Sequence, residues 1–168
     1  MADRLSTILE LLRRSTKKVG KTFIQKAVYV LQDWLGWDSD YKFKLHYYGP
    51  YSSDLSDDLD ILNELGLIEM VFNGHGYDIG ITKEGTHFLG EHLEAYMPNQ
   101  PKIERAISLV GKDDVRNMEL IGTVLYFAKL AGDEKEITAL VNTVKPHFND
   151  ETIQESIRYL REEGVLSS

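Results

Sequence analysis

The chain has 168 residues, of which 42% are hydrophobic, 10% aromatic and 27% charged, so it can bury the core of one domain or of two small ones. It has no cysteine, which excludes disulfides, thiolate metal ligands and cysteine nucleophiles. It lacks an apolar run of about 18 residues, and its first residues mix charged with apolar side chains. We therefore expect a soluble cytoplasmic protein with no membrane-spanning helix and no secretory signal.

The net charge of −8 is unevenly distributed along the chain. Residues 1–51 carry nine basic and five acidic side chains, whereas residues 52–100 carry one basic and ten acidic side chains. Residues 101–168 carry nine basic and twelve acidic side chains. Because an acidic chain repels the phosphate backbone, the overall charge argues against nucleic acid as the main partner without excluding it.

Helical spacing of apolar residues predicts two helices near the start of the chain. The first covers residues 3–14 and leads into a basic turn over residues 13–21, which is either a solvated loop or a patch for phosphates or an acidic partner. Thr22 is the predicted N-cap of the second helix, residues 23–35, and Gly36 ends it. The basic side chains of the turn are Arg13, Arg14, Lys17, Lys18 and Lys21.

The stretch 41–67 organises the rest of the chain. Its first half alternates, which predicts a strand over residues 41–48 with Tyr41, Phe43, Leu45 and Tyr47 on one face. Gly49-Pro50 is the predicted turn after this strand, and Ser52 or Ser53 is the predicted N-cap of a third helix over residues 52–65.

Two apolar runs, residues 67–72 and 77–82, flank Asn-Gly-His-Gly and predict an antiparallel hairpin with strand 41–48 alongside it. A further helix is predicted over residues 84–96. Residues 81–85 resemble the LTxxG step that follows the hairpin in many winged-helix regulators, and this resemblance implies that Thr82 caps the helix and that Gly85 lets it lie close to the hairpin. Pro98, Asn99 and Pro101 predict a linker.

The remainder predicts four helices, at residues 101–110, 115–131, 134–147 and 150–163. Residues 23–36 align with residues 119–132, and residues 54–68 align with residues 152–166. The nearly constant offset favours a second, degenerate helix-turn-helix unit without a hairpin. The alternative is that any two amphipathic helices ending in Gly look alike.

The order helix, helix, strand, helix and two-stranded hairpin is typical of a winged-helix domain with one additional strand. We therefore expect an α+β, mostly helical chain. A winged-helix-like domain, with the hairpin as its wing, covers residues 1–97, and a helical domain covers residues 101–168.

Three segments, KTFIQKAVYVLQ, LHYYGPYS and DLSDDLDILNELGLI, resemble the YwgA-type proteins of bacteria and archaea. More distantly they resemble the SocA-like (Panacea-domain) antitoxins, in which a K-x-x-Q-K-x-x-Y-x-L-Q helix precedes a Gly-Pro turn and an acidic helix. The match covers residues 21–68, and Tyr51 stands where the Panacea-domain proteins usually have an apolar residue. The YwgA-type proteins have no assigned activity, whereas the antitoxin resemblance implies neutralisation of a toxin through protein contact.

The sequence gives little support to catalysis. His87 and Glu91 share a helix face, but His92 points about 100° away from Glu91, so they do not make a metal site. The Gly74-x-Gly76 pair lies at a hairpin tip, and Ser52 lacks the Gly-x-Ser-x-Gly pattern, so neither a phosphate loop nor a nucleophile elbow is present. We expect no enzymatic activity, no metal and no cofactor.

DNA reading by the helix over residues 52–65 is not expected either. In a winged-helix domain this helix would enter the major groove, but here it would bring carboxylates to the phosphates. Its acids form either a solvated face or a docking surface for a basic partner. The alternative function is a winged-helix transcription regulator that binds DNA through the basic turn 13–21 and the wing. The acidic residues of the helix are Asp54, Asp57, Asp58, Asp60 and Glu64.

The preferred prediction is a non-catalytic protein-interaction module, either antitoxin-like or a regulatory adaptor, whose partner is a protein such as a toxin. Aromatic residues crowd around Gly-Pro, and aromatic anchors mixed with polar groups are typical of interface cores. The alternative is that Tyr48 and Tyr51 only pack around the turn. The predicted patch, as we call this surface, consists of Lys21, Gln25, Lys26, Tyr29, His46, Tyr48, Gly49, Pro50 and Tyr51.

Overall fold

The computed structural model describes residues 2–111 and 114–167. Within these ranges the chain is mostly helical and contains two small antiparallel hairpins, which confirms the α+β class. The elements in chain order are α1 (Ala2–Arg14), α2 (Lys21–Asp33), β1 (Lys44–His46), β2 (Gly49–Tyr51), α3 (Ser53–Glu64), β3 (Ile68–Phe72), β4 (Tyr77–Ile81), α4 (Lys83–Glu91), α5 (Leu93–Tyr96), a 3-10 turn (Met97–Asn99), α6 (Gln100–Val110), α7 (Val115–Ala128), α8 (Glu134–Val144) and α9 (Asp150–Glu162).

Helix α2 is enclosed by the rest of the molecule. All of residues 23–31 are buried, so the helix is covered on every side rather than along one apolar stripe. Helices α6 and α7 and strands β2 and β4 pack against it. Two polar side chains of this helix, Gln25 and Lys26, are therefore buried as well.

Hydrophobic residues from both predicted domains join in one cluster. Pro98 and Asn99, predicted as part of a linker, form the 3-10 turn, and Pro101 lies in the first turn of α6. The division into residues 1–97 and 101–168 stays a prediction from the sequence. The four predicted C-terminal helices are present as α6 to α9.

The hairpin of β3 and β4 confirms the sequence prediction. Its register pairs Ile68 with Ile81 and Phe72 with Tyr77. The turn is closed by Asn73, whose side-chain oxygen accepts hydrogen bonds from the backbone N–H groups of His75 and Gly76, both at 3.0 Å. We call this element the 68–81 hairpin.

The prediction for residues 41–51 is wrong in its topology. Strand β1 pairs with β2 in a sheet of its own, and it does not lie alongside the 68–81 hairpin. Gly49-Pro50 is therefore not a turn but part of β2, and Tyr47-Tyr48 forms the turn. Tyr47 is 80% exposed, although alternation had placed it on the same face as Tyr41, which is 3% exposed.

Physical reasons for this difference lie in the residues of the short hairpin. Tyr47 and Tyr48 are of a residue type that is common in strands, so the alternating pattern predicts a continuous strand at the two positions that form the turn. Gly49 adopts φ of +92°, which an ordinary side chain would resist, and this conformation reverses the chain. Pro50 is tolerated because β2 is an edge strand. We call this element the 44–51 hairpin.

Helix caps agree with the sequence at two of three positions. The Ser52 hydroxyl accepts a hydrogen bond from Leu55 N at 3.3 Å, and the Thr82 hydroxyl accepts one from Gly85 N at 3.0 Å. Thr22 is not a cap, because α2 begins earlier and Gly20 occupies the N-cap position without a side-chain hydrogen bond.

Gly85 allows α4 to lie directly against the 68–81 hairpin, as predicted. A Cβ atom at this position would lie 2.1 Å from the carbonyl oxygen of Leu67 and 2.7 Å from Cγ1 of Ile81. The backbone at Leu67 could make room for a side chain at position 85 only if α4 moved away from it.

We expect Gly85→Ala to lower the free energy of unfolding by about 2–3 kcal/mol, because the added methyl group must displace α4. Gly90→Ala on the same helix is the matched control, since a Cβ there meets no atom within 4 Å. It should leave stability unchanged or raise it by up to about 1 kcal/mol. Urea unfolding of both variants measures the difference, and equal stabilities would contradict the close approach.

Candidate functional site

Two glutamines of α2 fasten the segment that carries the 44–51 hairpin. The Gln25 side chain donates to the Ser52 carbonyl at 2.9 Å and accepts from the Ser52 N–H at 2.8 Å. The Gln32 side chain donates to the Tyr41 carbonyl at 2.9 Å and accepts from the Tyr41 N–H at 2.7 Å. Each amide therefore pairs with both backbone groups of one residue, and together they hold the two ends of residues 41–52.

Lys26 holds the middle of the same segment. Its Nζ donates to the Pro50 carbonyl at 2.8 Å, and the residue is 2% exposed. Burial, and then the nearby charge of Lys145, lower the pKa of Lys26 to about 7, although the Glu119 carboxylate opposes the shift. This amine therefore changes between its charged and neutral forms near neutral pH.

A second lysine reaches the same hairpin from the other end of the chain. Lys145 Nζ donates to the His46 carbonyl at 2.9 Å and also to the Tyr47 carbonyl. The Glu119 carboxylate lies 3.2 Å from Lys145 Nζ and 3.3 Å from His147 Nε2. A buried carboxylate on α7 thus offsets part of the positive charge beneath the 44–51 hairpin.

Small residues let α7 approach the hairpin closely. A Cβ at Gly122 would lie 2.9 Å from Cδ of Pro50 and 3.1 Å from Cδ of Lys26. A Cβ at Gly49 would lie 3.2 Å from the Glu119 carbonyl oxygen. The hairpin is therefore clamped between α2 and α7, with its tip projecting outwards.

A pocket of about 310 Å³ lies between the first turns of α2 and the 44–51 hairpin. We call it the α2 pocket. Seven of the nine residues of the predicted patch line it, and the other two, Tyr29 and Pro50, do not. The lining residues are Lys21, Thr22, Gln25, Lys26, His46, Tyr47, Tyr48, Gly49 and Tyr51.

The residues of the predicted patch differ in their exposure. His46 and Tyr48 are exposed, and Lys21 and Tyr51 are half-buried. The others are buried, so they support the surface rather than form it. Tyr29 in particular lies in the core, where its ring meets that of Phe43 with centroids 5.2 Å apart. The buried members are Gln25, Lys26, Tyr29, Gly49 and Pro50.

Sequence reasoning left out several residues of this site, including Thr22, which was predicted only as a helix cap. Tyr47 was predicted to lie on the same strand face as Tyr41. Lys145 lies 99 residues from its acceptor His46, and nothing local indicates the contact. Glu119 gave one usable signal, because it is the single acid within the apolar run 118–128 of α7.

The acidic helix α3 is not uniformly solvated. Asp58 is buried, and its Oδ2 accepts a hydrogen bond from the Tyr41 hydroxyl at 2.5 Å and lies 2.7 Å from Arg4 Nε. Burial and this hydrogen bond raise the pKa of Tyr41 well above its usual value. Asp58 therefore ties α3 to α1, while Asp54, Asp57, Asp60 and Glu64 are exposed.

Comparison with known proteins identifies a relative that matches nearly the whole chain. The chain is 27% identical over 166 residues to the uncharacterized protein YwgA of Bacillus subtilis (strain 168), covering 96% of this chain and 97% of that protein. The resemblance to YwgA-type proteins is confirmed. It extends far beyond residues 21–68, on which the sequence argument relied. No family model matches. The resemblance to SocA-like antitoxins stays a prediction.

In the described ranges, the helices include none that is long and apolar enough to cross a membrane. Of the histidines considered for a metal site, His87 has its Nε2 2.8 Å from Glu91 Oε1, and the His92 ring stacks on Phe88 with centroids 4.0 Å apart. The expectation of no metal there stays a prediction.

We expect the stability that Lys26 contributes to depend on pH. Its pKa is about 7 in the folded chain and 10.5 in the unfolded chain, so between these values the unfolded chain binds more protons. The free energy of unfolding of the wild type, relative to Lys26→Met, should rise from pH 7 to pH 9.5 by roughly 1 kcal/mol per pH unit.

Urea unfolding at four pH values from 6.5 to 9.5 measures this difference. Lys44→Met, which removes an exposed lysine of the same hairpin, controls for the loss of one positive charge. A constant difference between the wild type and Lys26→Met across this range would contradict the lowered pKa.

Proposed function

We propose that this chain is a non-catalytic protein-interaction module that binds a polypeptide partner at the tip of the 44–51 hairpin. The supporting observation is that Tyr47 and Tyr48 are 80% and 56% exposed on a hairpin held from below by buried side chains. Large aromatic residues dominate interface hot spots. Because the hairpin that carries them is already held in place, less conformational entropy is lost when a partner covers the two tyrosines.

The exposed apolar surface continues beyond the two tyrosines. A second depression of about 340 Å³ lies beside Tyr47, and Leu45 and Val144 are among the residues that line it. Val144 and Leu140 stand one turn apart on α8, and both are exposed. A partner segment crossing the hairpin tip would cover apolar surface on both sides of Tyr47.

The distant resemblance to SocA-like antitoxins supports an antitoxin-like or adaptor role, in which a toxin or another protein is bound by direct contact. A winged-helix-like arrangement of the N-terminal part belongs to this proposal. Its support is the order of elements together with a short bridge, in which Val19 N donates to the Ile79 carbonyl at 3.0 Å and accepts in return at 2.7 Å. The order of α7, α8 and α9 likewise supports a degenerate helix-turn-helix unit.

The alternative, a DNA-binding regulator, draws less support from the basic turn than its charges suggest. Arg13 and Arg14 both donate to the buried Glu10 carboxylate. Burial acts to raise the pKa of Glu10, but hydrogen bonds from Arg13, Gln100 and Arg14 hold it below its usual value. Lys18 lies 2.6 Å from Glu69. These partners compete with phosphates for the same side chains.

We expect Tyr47→Ser and Tyr48→Ser each to weaken partner binding by about 1–3 kcal/mol while the chain stays folded, because both side chains are exposed. Leu130→Ser is the control, since Leu130 is 72% exposed outside the hairpin. Affinity capture from the native cells, followed by titration of the captured protein, measures the effect. Capture that survives both tyrosine substitutions would contradict this surface.

Random duplex DNA should bind weakly or not at all near physiological salt, because the chain has a net charge of −8 and α3 is acidic. An electrophoretic mobility shift over a salt series measures this. Submicromolar binding that is lost in a Lys17→Ala, Lys18→Ala double variant would instead favour the regulator. That variant leaves Arg13, Arg14 and their contacts with Glu10 intact.

A further inference from the structure

We infer that the α2 pocket receives the C-terminal residue of the partner polypeptide, with its terminal carboxylate near the basic side chains and its apolar side chain against the tyrosines. This inference rests on the proposed function and specifies how the partner is recognised.

The charge of the pocket opposes that of the chain as a whole. The chain has a net charge of −8, yet no Asp or Glu is among the residues that line the α2 pocket. Its basic residues are Lys21, whose Nζ lies 4.8 Å from the centroid of the Tyr77 ring, and Lys26, whose Nζ donates to the Pro50 carbonyl. Of the two signs of charge, this lining therefore favours an anion.

Hydrogen-bond donors of α2 also lie along the pocket. The protonated Lys26 amine has three N–H donors, one of which it gives to the Pro50 carbonyl at 2.8 Å. Lys21 and Thr22 lie in the first turn of α2, where Gly20 supplies no side-chain cap to the backbone N–H groups. These two features lie along the same pocket.

The walls indicate what carries the anion. Tyr47, Tyr48 and Tyr51 surround the pocket, so the group that enters must be largely apolar apart from its charge. The cations are lysine and histidine, and arginine, the residue best suited to bidentate phosphate recognition, does not line the pocket. A carboxylate on an apolar residue fits this combination better than a phosphate does.

The occupant is a polypeptide end rather than a free acid because of the surface around the pocket. A volume of about 310 Å³ is small for a ligand site and suits one terminal residue. A free acid of that size would leave the second depression at Val144 uncovered. A polypeptide whose last residue enters the α2 pocket can continue across the hairpin tip and cover that depression as well.

Proton binding should accompany the carboxylate. Burial lowers the pKa of Lys26 to about 7, and a bound anion favours the protonated amine. The charged and titratable groups around this amine are Lys145, the Glu119 carboxylate with its neighbour His147, and Lys21 and His46 at the pocket. Carboxylate binding should therefore weaken as the pH rises above 7, since the amine must then take up a proton.

The test is an NMR titration of the full chain with acetyl-Gly-Gly-Phe and acetyl-Gly-Gly-Leu, each with a free carboxylate and as its amide. We expect the peptides with a free carboxylate to cause saturable chemical-shift changes at the backbone N–H groups of His46, Tyr48 and Gly49. The amidated peptides should bind roughly tenfold more weakly or not at all, because they lack the charge-assisted hydrogen bonds. Weaker binding at pH 8.5 than at pH 6.5 is also expected.

Matched variants locate the carboxylate. Lys21→Gln should lose about tenfold in affinity and Lys21→Arg should retain it, because only the latter keeps the charge. Lys44→Gln, an exposed lysine of the same hairpin that does not line the pocket, should bind within about twofold of the wild type. Equal binding of acid and amide peptides, or an unchanged Lys21→Gln, overturns the inference.

A third arm uses 3-phenylpropionate and identifies the source of the carboxylate. If it binds as tightly as the Phe peptide, the occupant is a free acid and the inference is wrong about the polypeptide. If no probe binds while Tyr47→Ser and Tyr48→Ser abolish partner capture, the inference falls and the proposed interaction surface stands. If the peptides bind but capture is independent of these tyrosines, the proposed surface falls separately.

Discussion

The pairing of buried polar side chains on α2 with the backbone of residues 41–52 is the constraint on which the site depends. Gln25 and Lys26 lie inside the molecule, where a polar group without a partner costs several kcal/mol. The backbone of the facing segment carries its own donors and acceptors, and the two-stranded 44–51 hairpin satisfies only some of them. Each set of groups satisfies the other, so helix and segment are fixed together.

Two buried amines then set the electrostatics of the hairpin. Lys26 and Lys145 donate to the carbonyls of Pro50, His46 and Tyr47, and the Glu119 carboxylate offsets part of their charge. Removing one partner would leave a charge buried without compensation. This costs more stability than replacing the whole set of charges with apolar side chains. The result is a rigid hairpin with its aromatic tip in solvent, over a locally basic pocket in an acidic chain.

The sequence predicted what local patterns encode. Helices α1, α3 and α6 to α9 and the 68–81 hairpin follow from periodicity, caps and turn residues within a few positions, and the Gly85 contact follows from the resemblance of residues 81–85 to winged-helix regulators. The 44–51 hairpin was not predictable in this way, because its register is fixed by Gln25, Lys26 and Lys145, which are distant in sequence. The residues of the α2 pocket were mostly anticipated, but which of them are buried depends on α7 covering α2.

The burial of these side chains changes what the K-x-x-Q-K-x-x-Y-x-L-Q pattern means. Gln25, Lys26, Tyr29 and Gln32 each contact the chain itself, so the pattern describes how a hairpin is fastened to a helix. Proteins that share it are expected to share that arrangement, but the pattern specifies neither the residues at the hairpin tip nor those on α8. The choice of partner therefore has to be encoded in exposed positions such as Tyr47 and Val144, which lie outside the residues that carry the resemblance and can differ while the hairpin stays in place.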